Sequence, residues 1–191
     1  MQLSIYWEQY KDSASLQKRL KERVTPVPRR LNTLSKLCLC SGSLANDSLG
    51  QNINLHIFFD KLSIETMDSL IKDIYLKKQH PMPMTFVNIL GNATAFYLAQ
   101  HLKINGSCQF GGLSSAVFEE IKLLEASQNS NTSSLYGILF EDELASIWLS
   151  FDKTKEGLVP SLPTAPDSLK MDFEGVKAFI TEHLTDFLRN L

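Results

Sequence analysis

A chain of 191 residues with 43% hydrophobic and 21% charged side chains has the make-up of one globular domain, long enough to bury a core without disulfides or metals. Its formal charge of -2 and the lack of any nucleic-acid module signature argue against a nucleic-acid partner. No apolar run approaches the roughly 18 residues of a membrane-spanning helix, and the start MQLSIYWEQYKD lacks the basic segment and apolar run of a secretory leader.

In chain order, Leu3-Ser4-Ile5-Tyr6-Trp7 alternates apolar and polar residues and predicts an opening strand. Residues 13–24 read as a helix with Ser13 or Ser15 as its cap. Pro26 and Pro28 interrupt it, and Pro28 is placed to open the next helix. That helix carries a stripe of Leu31, Leu34, Leu37, Cys38 and Leu44. Residues 52–60, NINLHIFFD, predict a buried strand, with His56 as a hydrogen-bonded core residue. A helix over 63–78 follows, capped by Ser63, with Met67, Leu70, Ile71, Ile74 and Tyr75 as its apolar face. Pro81 and Pro83 bracket a turn. The pattern over 86–103 is again helical despite Gly91, which costs roughly 1 kcal/mol mid-helix and suggests close approach of another backbone. After Gly106 comes a buried extended piece holding Cys108, then a helix over 114–126. The run QNSNTSS, 128–134, predicts a polar loop. Residues 135–140 and 144–151 read as two strands, antiparallel through Glu141-Asp142-Glu143. Residues 154–170 hold three prolines and form a connector. Phe173, Val176, Phe179, Ile180, Leu184, Phe187 and Leu188 share one face of a last helix. Strands alternating with helices predict an α/β domain over 1–153, a connector over 154–170, and a C-terminal helix over 171–191 packed on the same domain.

Candidate chemistry is sparse. Three cysteines suit a reducing cytosol, so the expected location is cytoplasmic, where the sequon Asn92-Ala93-Thr94 carries no weight. Cys38-x-Cys40 lacks the C-x-x-C spacing of a zinc knuckle or redox pair, and both residues read as small buried hydrophobes. Cys108 reads as inert. No phosphate loop, dinucleotide fingerprint or H-E-x-x-H is present, so no cofactor or metal is expected. Glu141, Asp142 and Glu143 could hold a cation, but acids at a hairpin turn read as solvated. Ser114 and Ser115 lie in GGLSSA, a strand-to-helix turn where a helix N-terminus could polarise an oxyanion. A serine nucleophile needs a base in hydrogen-bond reach, and His56, His80, His101 and His183 sit on separate elements. Ser114 as a helix cap is the simpler reading. Charge is uneven: residues 1–45 carry eight Lys/Arg against three Asp/Glu, and residues 141–191 carry five against ten. Such polarity can guide an acidic partner to the basic end.

The order of features over residues 83–143 resembles the N-terminal half of β-ketoacyl synthases, of thiolase-like fold. Asn92-Ala93 matches the helix before the family's nucleophile strand, Gly106 the glycine before that strand, and LYGILFEDE a core strand closing on Asp142 and Glu143. Trp7, Pro28-Arg29-Arg30-Leu31 and Glu125-Ala126 extend the resemblance to short β-ketoacyl synthase-like N-terminal domain proteins, related to chain-length factors and found beside bacterial fatty-acid or polyketide-type gene clusters. The resemblance implies half of a thiolase-like fold, a mixed sheet flanked by helices. The family's nucleophile cysteine falls near Ser114 or Ser115 here, and only a short stretch follows the last strand pair, where the family places its second catalytic half. The implied role is therefore a non-catalytic accessory subunit that binds a ketosynthase or an acyl carrier protein. The alternative is a serine-dependent acyltransferase or thioesterase using Ser114 or Ser115. The resemblance also puts residues 87–103 and 104–113 near an interface of a homo- or heterodimer. It makes Arg29, Arg30 and Lys36 candidates for attracting an acidic carrier protein.

Overall fold

The computed structural model describes residues 1–29, 31–45, 49, 51–61, 64–80, 87, 90–128, 131–156 and 161–185. Among these residues five strands form one mixed sheet: β1 (Gln2–Gln9), β2 (Ile53–Phe59), β3 (Cys108–Gly112), β4 (Ser133–Phe140) and β5 (Ala145–Asp152), in the order β1-β5-β4-β2-β3. β4 and β5 form the antiparallel hairpin that the sequence predicts, and β1 pairs antiparallel to β5, with Ile5 opposite Leu149. β2 runs parallel to both β4 and β3, which requires helical crossovers.

Side-chain alternation divides the sheet into two faces. Tyr6, Ile53, Leu55, Ile57, Phe59, Leu135, Leu139 and Trp148 pack beneath α1 (Ser13–Arg23), α2 (Thr33–Ala45) and α4 (Gly91–Leu102). Ile5, Phe58, Tyr136, Ile138, Phe140, Ile147 and Leu149 pack beneath α5 (Val117–Ser127) and α6 (Phe173–His183). Each such side chain, fully buried, contributes about 1.5–3 kcal/mol. Phe173, Val176, Phe179, Ile180 and Leu184 of the last helix belong to this second core. Phe187 and Leu188 lie outside the described residues.

Several local expectations are corrected. Asp12, not Ser13 or Ser15, is the N-cap of α1: its carboxylate accepts from Ser15 N (2.7 Å), and Ser15 Oγ accepts from Asp12 N in return. Pro28 does not open the second helix. Asn32 does, with Oδ1 accepting from Ser35 N at 2.8 Å, because an amide side chain satisfies a free helix N–H that proline leaves unpaired. α2 is buried over most of its surface rather than along a stripe, since α1, α4 and the sheet pack around it, and Thr33, Lys36 and Ser43 are half-buried on the remaining side. Leu44 is only half-buried. The helix expected over 63–78 is α3 (Ile64–Ile71), extended by a wider π-type turn over Lys72–Leu76 that Lys77 N closes on Lys72 O (3.0 Å). Ser63 lies outside the described residues. Of the apolar face expected there, Leu70 alone is buried. Ser133 and Ser134 belong to β4 rather than to the preceding loop. Among the described residues no helix is long and apolar enough to cross a membrane.

Candidate functional site

The parallel edge β3 and the turn after it form the site toward which the sequence points. The chain enters β3 pressed against its neighbour: a Cβ on Gly106 would lie 2.0 Å from Ile53 O, so only glycine fits. Ser107 O accepts from Leu55 N (2.8 Å), while Ser107 N and Oγ both donate to Asn54 Oδ1 (2.9 Å each). The ladder runs past the strand to Leu113 N on Phe59 O, 2.8 Å. β3 is last in the sheet, so among the described residues its outer N–H and C=O groups have no strand beside them.

Cys108, Gln109, Phe110 and Gly112 are exposed, against the expectation of a buried segment. A parallel strand is buried only when a strand and helices flank it on both sides. Cys108 is thus accessible, although its partial burial against the sheet still raises the thiol pKa. Phe110 stacks on Phe59 with centroids 6.2 Å apart, yet remains 45% exposed. Gly91 lies beneath it: an added Cβ would be 2.8 Å from the Phe110 ring. Gly91 therefore begins α4 instead of interrupting a longer helix, and side chains, not a backbone, make the close approach. Beside it, Val87, Leu90, Asn92, Ala93, Phe96 and Tyr97 line an open groove of about 430 Å³.

Ser114 and Ser115 occupy the turn between β3 and α5. Ser114 accepts from Val117 N through its carbonyl (3.0 Å) and does not cap the helix with its hydroxyl. The cap position is Ala116, without a side-chain bond. Among the described residues no histidine or carboxylate is hydrogen-bonded to either serine. His183 is hydrogen-bonded to Phe179 O within its own helix. His56 is 2% exposed, stacks on Tyr136 at 4.8 Å and accepts at Nε2 from the Gln128 amide (3.2 Å). Burial holds its pKa below the ordinary imidazole value.

His56 belongs to a polar network that the sequence did not disclose. Tyr136 OH donates to Glu125 Oε1 (2.7 Å), Ser134 Oγ donates to Gln128 Oε1 (2.6 Å), and Lys153 pairs with Glu125 Oε2 (3.3 Å). Burial, then the Glu125 charge, pushes the Tyr136 phenol far up. Glu125 stood out in sequence only as a helix-end residue, and no local pattern signals that its carboxylate turns inward.

Elsewhere, Arg29 is exposed in a turn and Lys36 is half-buried on α2, while Arg30 lies outside the described residues. Asn92 is exposed at the rim of the apolar groove. The acids of the β4–β5 turn are engaged, not merely solvated: Asp142 pairs with Lys61, and Glu143 Oε1 accepts from Phe173 N (3.0 Å) at the start of α6. Cys38 and Cys40 are both buried, with Cys40 Sγ 3.3 Å from the Tyr10 hydroxyl. No group of three or more His, Cys, Asp or Glu that could hold a metal occurs among the described residues.

No protein-family model matches the chain, and no curated protein matches it. Among solved structures it is similar to a chain of the complex of the ketosynthase ApeO with its chain length factor ApeC from Xenorhabdus doucetiae. The two share 15% identity over 80% of this chain and 79% of that one, with a TM-score of 0.55. A structure titled as the acyltransferase ChlB3 aligns at 12% identity over 82% of this chain and half of its own, with a TM-score of 0.39, too low to carry an argument. The chain therefore has a thiolase-like fold, shared with a chain of a ketosynthase–chain length factor complex.

Proposed function

We propose that this chain is a non-catalytic, chain-length-factor-like accessory subunit, acting in the cytoplasm in fatty-acid or polyketide-type biosynthesis. It docks on a ketosynthase through β3 and the adjoining groove of α4. The observation that carries this reading is the bare β3 edge, flanked by exposed Leu90, Phe96 and Phe110, beside a turn whose two serines lack a base among the described residues. An extended edge supplies main-chain hydrogen bonds to a partner, and the aromatic side chains supply apolar anchors.

The outer surface of α5 and α6 supports the same reading. A second catalytic half stacked on that layer would need an apolar face to cover. Apart from the exposed Leu123, the layer presents polar groups: Glu119 paired with Lys122 (2.8 Å), Glu174 paired with Lys177 (3.6 Å), and the exposed Glu120, Thr181 and Glu182. Arg29, Arg30 and Lys36 are the residues proposed to attract an acidic acyl carrier protein.

The test is affinity capture of the tagged full chain from its native host, with the Phe110→Asp variant in parallel. Near-equal recovery of a ketosynthase with the native chain and its loss with the variant is the expected result. Recovery of the chain alone would overturn the reading. The Ser115→Ala variant should keep full pathway function. Loss of thioester turnover by that variant, with its fold intact, would favour the acyltransferase or thioesterase instead.

A further inference from the structure

The buried network behind β3 leaves one donor over. Gln128 Oε1 accepts from Ser134 Oγ, and the Gln128 amide nitrogen lies 3.3 Å from Tyr136 OH, whose proton goes to Glu125. The Gln128 N–H groups therefore point at Tyr136 and at His56 Nε2, so the neutral His56 ring carries its proton on Nδ1. That Nδ1 is buried and, among the described residues, meets no acceptor.

His56 lines a cavity of about 30 Å³, room enough for water, with Phe58 of β2, Gln109 and Phe110 of β3, and Glu120 and Leu124 of α5. Gln109 stands directly opposite His56 in the ladder and approaches the ring without the geometry of a hydrogen bond. His56 and Phe58 are buried at the back, whereas Gln109 and Glu120 are exposed, so the cavity meets solvent between the bare strand and α5. On protonation both ring nitrogens become donors. Nε2 then faces the Gln128 N–H, and the cavity is left as the source of an acceptor and of water for the charge. Glu120 and Glu125 of α5 favour the proton, and Lys153, just after β5, pairs with Glu125 and offsets it. Gln109 of β3 and the neutral Tyr136 of β4 bring no charge. A strand laid along β3 would run one spacing, about 4.8 Å, outside Gln109 and close the side on which the cavity meets water.

We infer that docking at β3 is linked to a proton on His56: a partner on that edge seals the cavity and withdraws water from the ring, so the neutral form docks and the protonated form resists. This rests on the reading of β3 as the ketosynthase-docking edge and adds its regulation. The docked chain holds the proton less tightly than the free chain, so docking expels it. Affinity is full above the free-chain pKa of His56, which burial already holds below the ordinary imidazole value, and falls as pH drops through it.

Isothermal titration calorimetry of the full chain with the captured and purified ketosynthase tests this, from pH 7.5 to 5.5 in two buffers of different ionisation heat. Affinity should be at least ~3-fold weaker at pH 5.5, with buffer-dependent heat reporting the released proton. Both effects should be absent from His56→Gln, or from His56→Asn if the first variant loses its fold. Glu120→Gln, at the rim, should keep the slope. In the free chain, nitrogen–proton correlation spectra should show the Nδ1–H tautomer. A pH-independent affinity would overturn the inference and leave the docking reading intact. So would a slope removed by Glu120→Gln rather than His56→Gln, a slope that tracks loss of the helical circular dichroism signal, or an Nε2–H tautomer. Failure to recover any ketosynthase would instead remove the docking reading, and the inference with it.

Discussion

The sheet has two edges, and the protein treats them in opposite ways. β1 is an edge strand whose residues Leu3 to Tyr6 are buried, and its far end is tied to α1 by a two-pronged ion pair. Arg23 Nη1 and Nη2 donate to the two Glu8 carboxylate oxygens at 2.6 and 2.8 Å. Tyr10 OH donates to the same carboxylate, and Arg23 also donates to Cys40 O. β3, at the opposite edge, is short and exposed at four of its five positions, its own sequence carries no charge or proline, and among the described residues no strand lies along its outer side. One edge is finished by the chain itself. The other is in the state expected of a surface that another chain completes.

That contrast can be broken or sharpened by mutation. The largest effect is expected at Gly106, where an alanine methyl meets the Ile53 carbonyl at 2.0 Å and backbone cannot give way. Gly106→Ala should cost about 3 kcal/mol or more in urea unfolding. Gly112→Ala, with nothing within 4 Å of its new methyl, should change stability by less than about 0.5 kcal/mol. Equal effects of the two would mean that β3 does not lie on β2 in this register.

Next in size is the difference between two phenylalanines. Phe140, wholly buried under α6, should cost about 3–5 kcal/mol when truncated to alanine. Phe110, nearly half exposed, should cost about 1 kcal/mol while losing partner binding. On the closed edge, Glu8→Gln leaves the Arg23 guanidinium with a weaker acceptor and should cost about 1–2 kcal/mol by the same unfolding assay.

The smallest expected effect is on pH dependence. The folded-state pKa of His56 is lowered, so between that value and the unfolded value of about 6.5 the unfolded chain binds the extra proton. Stability from the neutral ring is full above about 6.5 and is lost as pH falls through the folded pKa. Unfolding free energy measured from pH 7.5 to 5 should therefore decline, and His56→Gln should remove most of that slope. An unchanged slope would mean that the ring is not buried beside Tyr136 and Gln128.

Much of the architecture was legible along the chain. Residues 52–60 and 135–151 combine β-branched and aromatic runs with turn residues between them, and they became β2, β4 and β5 with small shifts of boundary. The spacing of Phe173, Val176, Phe179 and Ile180 marked the face of α6 that is buried. Ser114 and Ser115 were correctly placed in a strand-to-helix turn, but a turn in sequence says nothing about which base lies across from it. Helix starts were less legible: Asp12 and Asn32 won over Ser13 and Pro28, because capping depends on which side chain the entering backbone turns toward the free N–H groups.

Composition and periodicity by themselves determined an α/β domain, its central strands and the amphipathic faces of its helices, because local spacing reports which side chains must leave water. Only the tertiary structure decided which strand ends the sheet. β1 pairs with β5 some 140 residues later in the chain, whereas β3 finds β2 on one side and, among the described residues, no strand on the other. That long-range order made Cys108 and Phe110 accessible, left the apolar row of α3 in solvent, and turned Glu125 toward Tyr136. Burial is a property of what arrives from elsewhere in the chain, and an apolar pattern read locally records the demand for cover without naming what supplies it.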